Sequence, residues 1–113
     1  MATALNVFKT ITADVTTEDQ ILYTAPSRKT SIFLSVQAAN LNNTTVQISF
    51  YHGSTANVKT ALAKNFKIPG NDSMAIISAG SKLVLETGQK VYASASANNS
   101  VQLLMSVLES AND

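Results

Sequence analysis

Residues 30–39 read T-S-I-F-L-S-V-Q-A-A, which alternates with a period of two. Ile32, Leu34, Val36 and Ala38 fall on one side of an extended chain, and Ser31, Phe33, Ser35 and Gln37 on the other. A period of two is that of a half-buried strand. Val46, Ile48 and Phe50 continue the pattern against Thr45, Gln47 and Ser49, and Leu41-Asn42-Asn43-Thr44 between the runs predicts a hairpin whose arms pair antiparallel. Near the C-terminus Val91, Ala93, Ala95 and Ala97 alternate with Tyr92, Ser94 and Ser96. Asn98-Asn99-Ser100 interrupts, and Val101, Leu103, Met105 and Val107 resume, giving a second Asn-rich hairpin. Asn suits both junctions because it tolerates the positive φ of tight turns. The small inward face of 91–97 fits either a tapered sandwich end or a contact with another subunit.

Weaker strands are expected at 5–11, 20–24, 66–68, 74–77 and 82–86, punctuated by Gly70-Asn71-Asp72, Ala79-Gly80-Ser81 and Thr87-Gly88-Gln89. Residues 54–64 read as a loop with a short irregular strand, and 110–113 as a fraying end. The fold class that follows is all-β: a single antiparallel β-sandwich of about eight short strands over residues 1–113, jelly-roll-like by preference or immunoglobulin-like.

A chain of 113 residues supports one domain and buries roughly two-thirds of its unfolded surface without metal or disulfide help. It has no cysteine, so disulfides, thiolate metal sites and cysteine nucleophiles are excluded. Eight Lys and Arg face seven Asp and Glu, and charged residues make up 13% against about 25% in an average soluble domain. Nothing in that balance attracts a polyanion. Thirteen Ser, twelve Thr and ten Asn replace the missing charge, a surface suited to packing against other protein. No run approaches the roughly 20 apolar residues of a membrane span, and no basic stretch precedes an apolar one at the N-terminus. Neither membrane insertion nor a secretion signal is expected. Asn-x-Ser/Thr triplets at Asn42, Asn43, Asn71 and Asn98 follow from the abundance of those residues.

His52 is the single histidine, with no second ligand or orienting partner near it in sequence, so it reads as locally hydrogen-bonded. Asp14, Glu18 and Asp19 are the one close group of acids and lack the spacing of an EF-hand, so the reading is a solvated loop. Lys59, Lys64 and Lys67 are too loosely grouped for a nucleic-acid stripe. No phosphate-binding glycine loop or nucleophile elbow is present. No catalytic, cofactor-binding or metal-ligating residue is therefore assigned, and the chain reads as a non-enzyme. On the strand parity above, Phe33, Tyr51 and Tyr92 point away from the apolar rows, forming a second core face, an interface or a ligand platform. The candidate interface comprises Phe33, Tyr51, His52, Lys59, Lys64 and Tyr92, with the loops 12–19 and 51–64 as further contact segments.

Leu22-Tyr23-Thr24-Ala25-Pro26-Ser27-Arg28-Lys29-Thr30-Ser31 and Lys82-Leu83-Val84-Leu85-Glu86-Thr87-Gly88-Gln89-Lys90-Val91 form one recognisable pair of segments. With Gln37-Ala38-Ala39-Asn40 and Leu104-Met105-Ser106-Val107-Leu108-Glu109, they resemble small virion structural proteins of tailed phages, particularly those of marine cyanobacteria. The resemblance runs from Leu22 onward and brings no catalytic residues. Relatives often carry glycine where Arg28 stands, so a proline-initiated type I turn is open here. What the resemblance implies is a virion-located head decoration or cement subunit, or a neck or tail-associated one. Its partners would be other virion proteins and copies of itself, with no nucleic acid and no membrane. The alternative is a host-receptor or carbohydrate-binding module on a fibre or spike, which would use Tyr51 and Tyr92.

Overall fold

The computed structural model describes residues 6–78 and 81–111. Its nine strands are β1 (Asn6–Val15), β2 (Gln20–Thr24), β3 (Lys29–Asn40), β4 (Val46–Gly53), β5 (Lys59–Ile68), β6 (Ser73–Ile77), β7 (Leu83–Leu85), β8 (Lys90–Ala95) and β9 (Val101–Ala111). They form two antiparallel sheets, the first ordered β1-β9-β3-β6 with β7 also on β3, the second ordered β2-β8-β4-β5. Successive strands mostly change sheet, and each sheet interleaves strands from the two ends of the chain, the jelly-roll arrangement. The immunoglobulin-like alternative is thereby set aside. β6 and β7 face different halves of β3, with Val36 opposite Ile77 and Phe33 opposite Leu83, so together they are one interrupted edge strand. The predicted turn at Ala79-Gly80-Ser81 lies partly outside the described residues, as does Leu5 of the first predicted strand.

Neither Asn-rich junction is a hairpin. β3 and β4 lie in different sheets, as do β8 and β9, so both junctions are corners where the chain crosses the sandwich. Asn40, buried in the first corner, explains why the chain turns there. Its Nδ2 donates to the carbonyls of Thr44 and Ile68, each at 2.9 Å, and its Oδ1 accepts from the amide of Asn42 at 2.9 Å. Side-chain bonds thus replace the ladder that a hairpin would have continued. The second corner meets the first: the amide of Leu41 donates to the Ser100 carbonyl at 2.7 Å. A third joins them at Gly70, where a Cβ would lie 2.4 Å from the Asn43 backbone. Among the described residues the left-handed non-glycine positions are Asn57, Asn65, Asn71, Asn99 and Arg28. Arg28 has φ 61°, which a type I turn does not contain, so that expectation is corrected.

The alternation in β3 is real, but its phase is not the predicted one throughout. The register against β9 slips between Phe33 and Ser35, so Ser31 and Phe33 face inward before the slip, and Val36, Ala38 and Asn40 after it. One extra residue at Leu34 moves every side chain on one side of it to the opposite face. The strand expected at 66–68 extends back to Lys59, through what reads as a loop with a short irregular strand, and forms a full edge strand exposed along most of its length and bulged twice against β4. The connecting segments expected at 12–19 and 51–64 accordingly shrink to 16–19 and 54–58. Ser110 and Ala111, expected to fray, belong to β9, where Ser110 pairs with both Asn6 and Thr30.

The core between the sheets comprises the inward residues of both. Phe33, Val36, Leu103, Met105 and Val107 come from the first sheet, Ile48, Phe50, Val91 and Ala93 from the second. Eighteen buried apolar residues make up this cluster, and burying a Leu, Ile or Phe side chain contributes about 1.5–3 kcal/mol. What remains outside are two sheet faces that the described residues leave uncovered.

Candidate interaction faces

On the second sheet, residues facing away from the core line up across the strands as Ile21, Tyr92, Tyr51 and Ala61. Tyr51 and Tyr92 are direct cross-strand partners. Lys59 reaches over this row from β5, its Nζ 4.5 Å from the centroid of the Tyr92 ring and 2.9 Å from Asp19 Oδ2. The hydrogen bond from Lys59 is the main cause holding the Asp19 carboxyl below its ordinary value, and the same bond raises the pKa of Lys59. Tyr92 also fills the space beside Gly53, where a Cβ would lie 2.4 Å from its ring. Three sequence-predicted residues, Tyr51, Lys59 and Tyr92, are therefore brought together. Lys64 lies further along β5, contributing its positive charge to the field at Asp19.

The other two are not. His52 has the parity opposite to Tyr51 and sits beside buried Val91. Its Nε2 is 3.1 Å from Gln89 Oε1, which also accepts the amide hydrogen of Glu86 at 2.9 Å. An oxygen acceptor there requires Nε2 to be the protonated nitrogen. Phe33 is a core residue with no exposed area, packed edge-to-face on Tyr23 at 5.4 Å between ring centroids. It leaves the candidate interface because of the slip at Leu34.

Behind Phe33 the sandwich holds a buried polar cluster that sequence reasoning missed. Glu109 on β9 is buried, Tyr23 on β2 crosses from the other sheet to donate to its Oε2, and buried Ser31 lies 2.7 Å from the Tyr23 hydroxyl. Lys9 Nζ stands 3.1 Å and Lys29 Nζ 3.6 Å from the other carboxylate oxygen. Burial pushes the Glu109 carboxyl up, but the Tyr23 hydroxyl and the two ammoniums outweigh it, and its pKa is lowered. Desolvation, then the carboxylate beside it, pushes Tyr23 up to about 12. Both ammoniums reach the buried carboxylate from partly exposed positions, and the strands of the cluster are thereby joined. A signal was present in the alternation of β9, where Glu109 continues the inward row Leu103, Met105 and Val107.

The outer face of the first sheet was also missed. Its register places Phe8, Leu108, Ile32 and Val84 side by side, one from each of four strands. The next rows are Thr10, Ser106 and Ser35, then Thr12, Leu104, Gln37 and Ala75. A last row holds Asp14, Gln102, Ala39 and Ser73, where Gln102 Nε2 donates to Asp14 Oδ1 at 3.1 Å. Asp14 is the one charged residue in these four rows. Phe8 is 73% exposed, Val84 50% and Leu104 49%. Two shallow hollows indent the same face, one of about 520 Å³ lined by Thr12, Asp14, Gln37, Ala39, Gln102 and Leu104, the other of about 290 Å³ lined by Phe8, Lys9, Leu34 and Ser106. Among the described residues no group of three or more His, Asp or Glu is placed to hold a metal ion.

The fold defines the class of the chain as a jelly-roll β-sandwich. No protein-family model matches the sequence, and no curated protein aligns with it. Among solved structures, a chain from the acid-stable capsid of Helicobacter pylori bacteriophage KHP30 superposes with a TM-score of 0.59 at 13% identity, over 97% of this chain and 90% of its own. A chain from the disulfide-linked pili of Bacillus endospore appendages does so with a TM-score of 0.58 at 11% identity, over 96% and 88%. At those identities the likeness is one of fold.

Proposed function

We propose that the chain is a non-enzymatic structural subunit of a tailed-phage virion, bound on the head as a decoration or cement protein or placed at the neck or tail. The observation that carries this reading is the outer face of the first sheet, an exposed surface of large apolar and hydroxyl side chains with one charge. Patches of this kind mark protein contact. The fold shared with a phage capsid chain over nearly its whole length supports the same reading. The mechanism is mass action: each copy bound across a junction stabilises the assembled particle by its binding free energy. On the second sheet Lys59 stands over Tyr92 in the space a stacked sugar ring would need, which counts against the carbohydrate-binding alternative.

The test is quantitative mass spectrometry of purified particles of the phage that encodes the chain, followed by a map of the intact particle. Peptides at a fixed multiple of the capsid protein are expected. Particles lacking the chain would overturn the proposal.

A further inference from the structure

We propose that the outer face of the first sheet is a self-docking surface whose occupant is a second copy of this chain, an inference that rests on the assembly reading above and names its partner. Strands of 10 to 12 residues make this face about 35 Å long, and four strands make it about 19 Å wide. That footprint approaches the roughly 800 Å² per partner of a standard interface.

The near-absence of charge admits an identical partner. A face with an ionic pattern would need the opposite pattern opposite it, whereas two copies of this one meet without repulsion. The exception is Asp14, which lies in the row at the end away from Phe8 and is already bonded to Gln102.

The relief of the face is self-complementary. In a face-to-face dimer the two-fold axis lies in the plane between the copies. An axis running across the strands at the level of Ser106 sets the Phe8 row of one copy against the Thr12 row of the other. Phe8 then faces the larger hollow, beside Thr12 and Leu104, and Leu108 faces Leu104. The protruding ring on one copy meets the depression on the other, twice by symmetry, with the aligned spacing of packed sheets. Asp14 of each copy falls opposite the far end of its partner, by Asn6 and Ser110, so the two carboxylates stay apart.

Because the chain has no cysteine, single-cysteine variants report this geometry directly. Sedimentation velocity should show a dimer building with concentration up to about 100 μM, and Phe8→Asp should weaken it on the order of 100-fold. A short bis-maleimide linker should join Ser106→Cys chains and leave Tyr51→Cys chains, on the opposite face, unjoined. Phe8 is exposed enough for Phe8→Asp to fold, which circular dichroism checks, and Val84→Lys is the second variant. A strict monomer overturns self-docking, as does a dimer that survives both variants and joins through Tyr51→Cys. Purified particles separate the two proposals. A chain found in particles yet monomeric alone overturns self-docking and leaves the virion reading standing, while a dimer absent from particles does the reverse.

Discussion

Asn40 shows how one side chain sets the path of the backbone. Its amide group satisfies carbonyls from two different corners while its oxygen holds the next turn. Asn40→Ala leaves the buried Ile68 carbonyl without its partner, a loss of about 1–3 kcal/mol, and removes the half-buried bonds to Thr44 and Asn42. We expect a total near 2–3 kcal/mol, read as a fall in Tm of roughly 10–20 °C by differential scanning calorimetry. Arg28 is the opposite case. Its φ of 61° places a long L side chain where glycine, and less readily asparagine, is at ease, and the residue is exposed. Arg28→Gly relieves the strain but loosens the unfolded chain, so a net gain of about 0.5–1 kcal/mol is expected in chemical denaturation. A loss would show that the arginine side chain outweighs its backbone.

Elements are joined by Glu109 as much as by ladders, since it draws together β1, β2, β3 and β9. Its lowered pKa means that the folded state holds the carboxylate more strongly than the unfolded chain does. The stabilisation is therefore complete above the ordinary carboxylate value of 4.5 and disappears as pH falls through the lower, folded value. Tyr23 works in the other direction: its raised pKa gives a contribution present below 10 that is lost as pH rises through about 12. Urea melts from pH 7 to pH 2 should show stability falling with acid, with a shallower fall in Glu109→Gln; parallel curves would refute the role.

Much of this was legible from alternation. Residues 20–24 coincide with β2, and the apolar rows of β4, β8 and β9 are inward as read. The bulge at Leu34 was not, because a single inserted residue leaves the local pattern intact and reverses only its meaning. Hairpin and corner likewise share turn chemistry, and only the long-range bonds of Asn40 and Ser100 distinguish them. Tyr51, Tyr92 and Lys59 could be grouped because adjacent strands supply them, whereas the Phe8 row draws on strands up to a hundred residues apart.

For the whole molecule, the scarcity of charge predicts how association responds to solution conditions. Burial of apolar and hydroxyl surface is little affected by screening, so the dimer affinity should change less than about threefold between roughly 50 and 500 mM salt. A steep decline would indicate that Lys59, Lys64 and Asp19 on the other face carry the contact. The order of strands has a further consequence for biosynthesis. β9 pairs with both β1 and β3, and leaves the ribosome after the other eight strands. Until it arrives, β1 has no neighbour in its sheet and β3 has one open edge, so the first sheet cannot close before β9 is made. The nascent chain must wait with two long hydrogen-bonding edges bare, a stage at which a chaperone, or crowding by sister chains, would decide its yield.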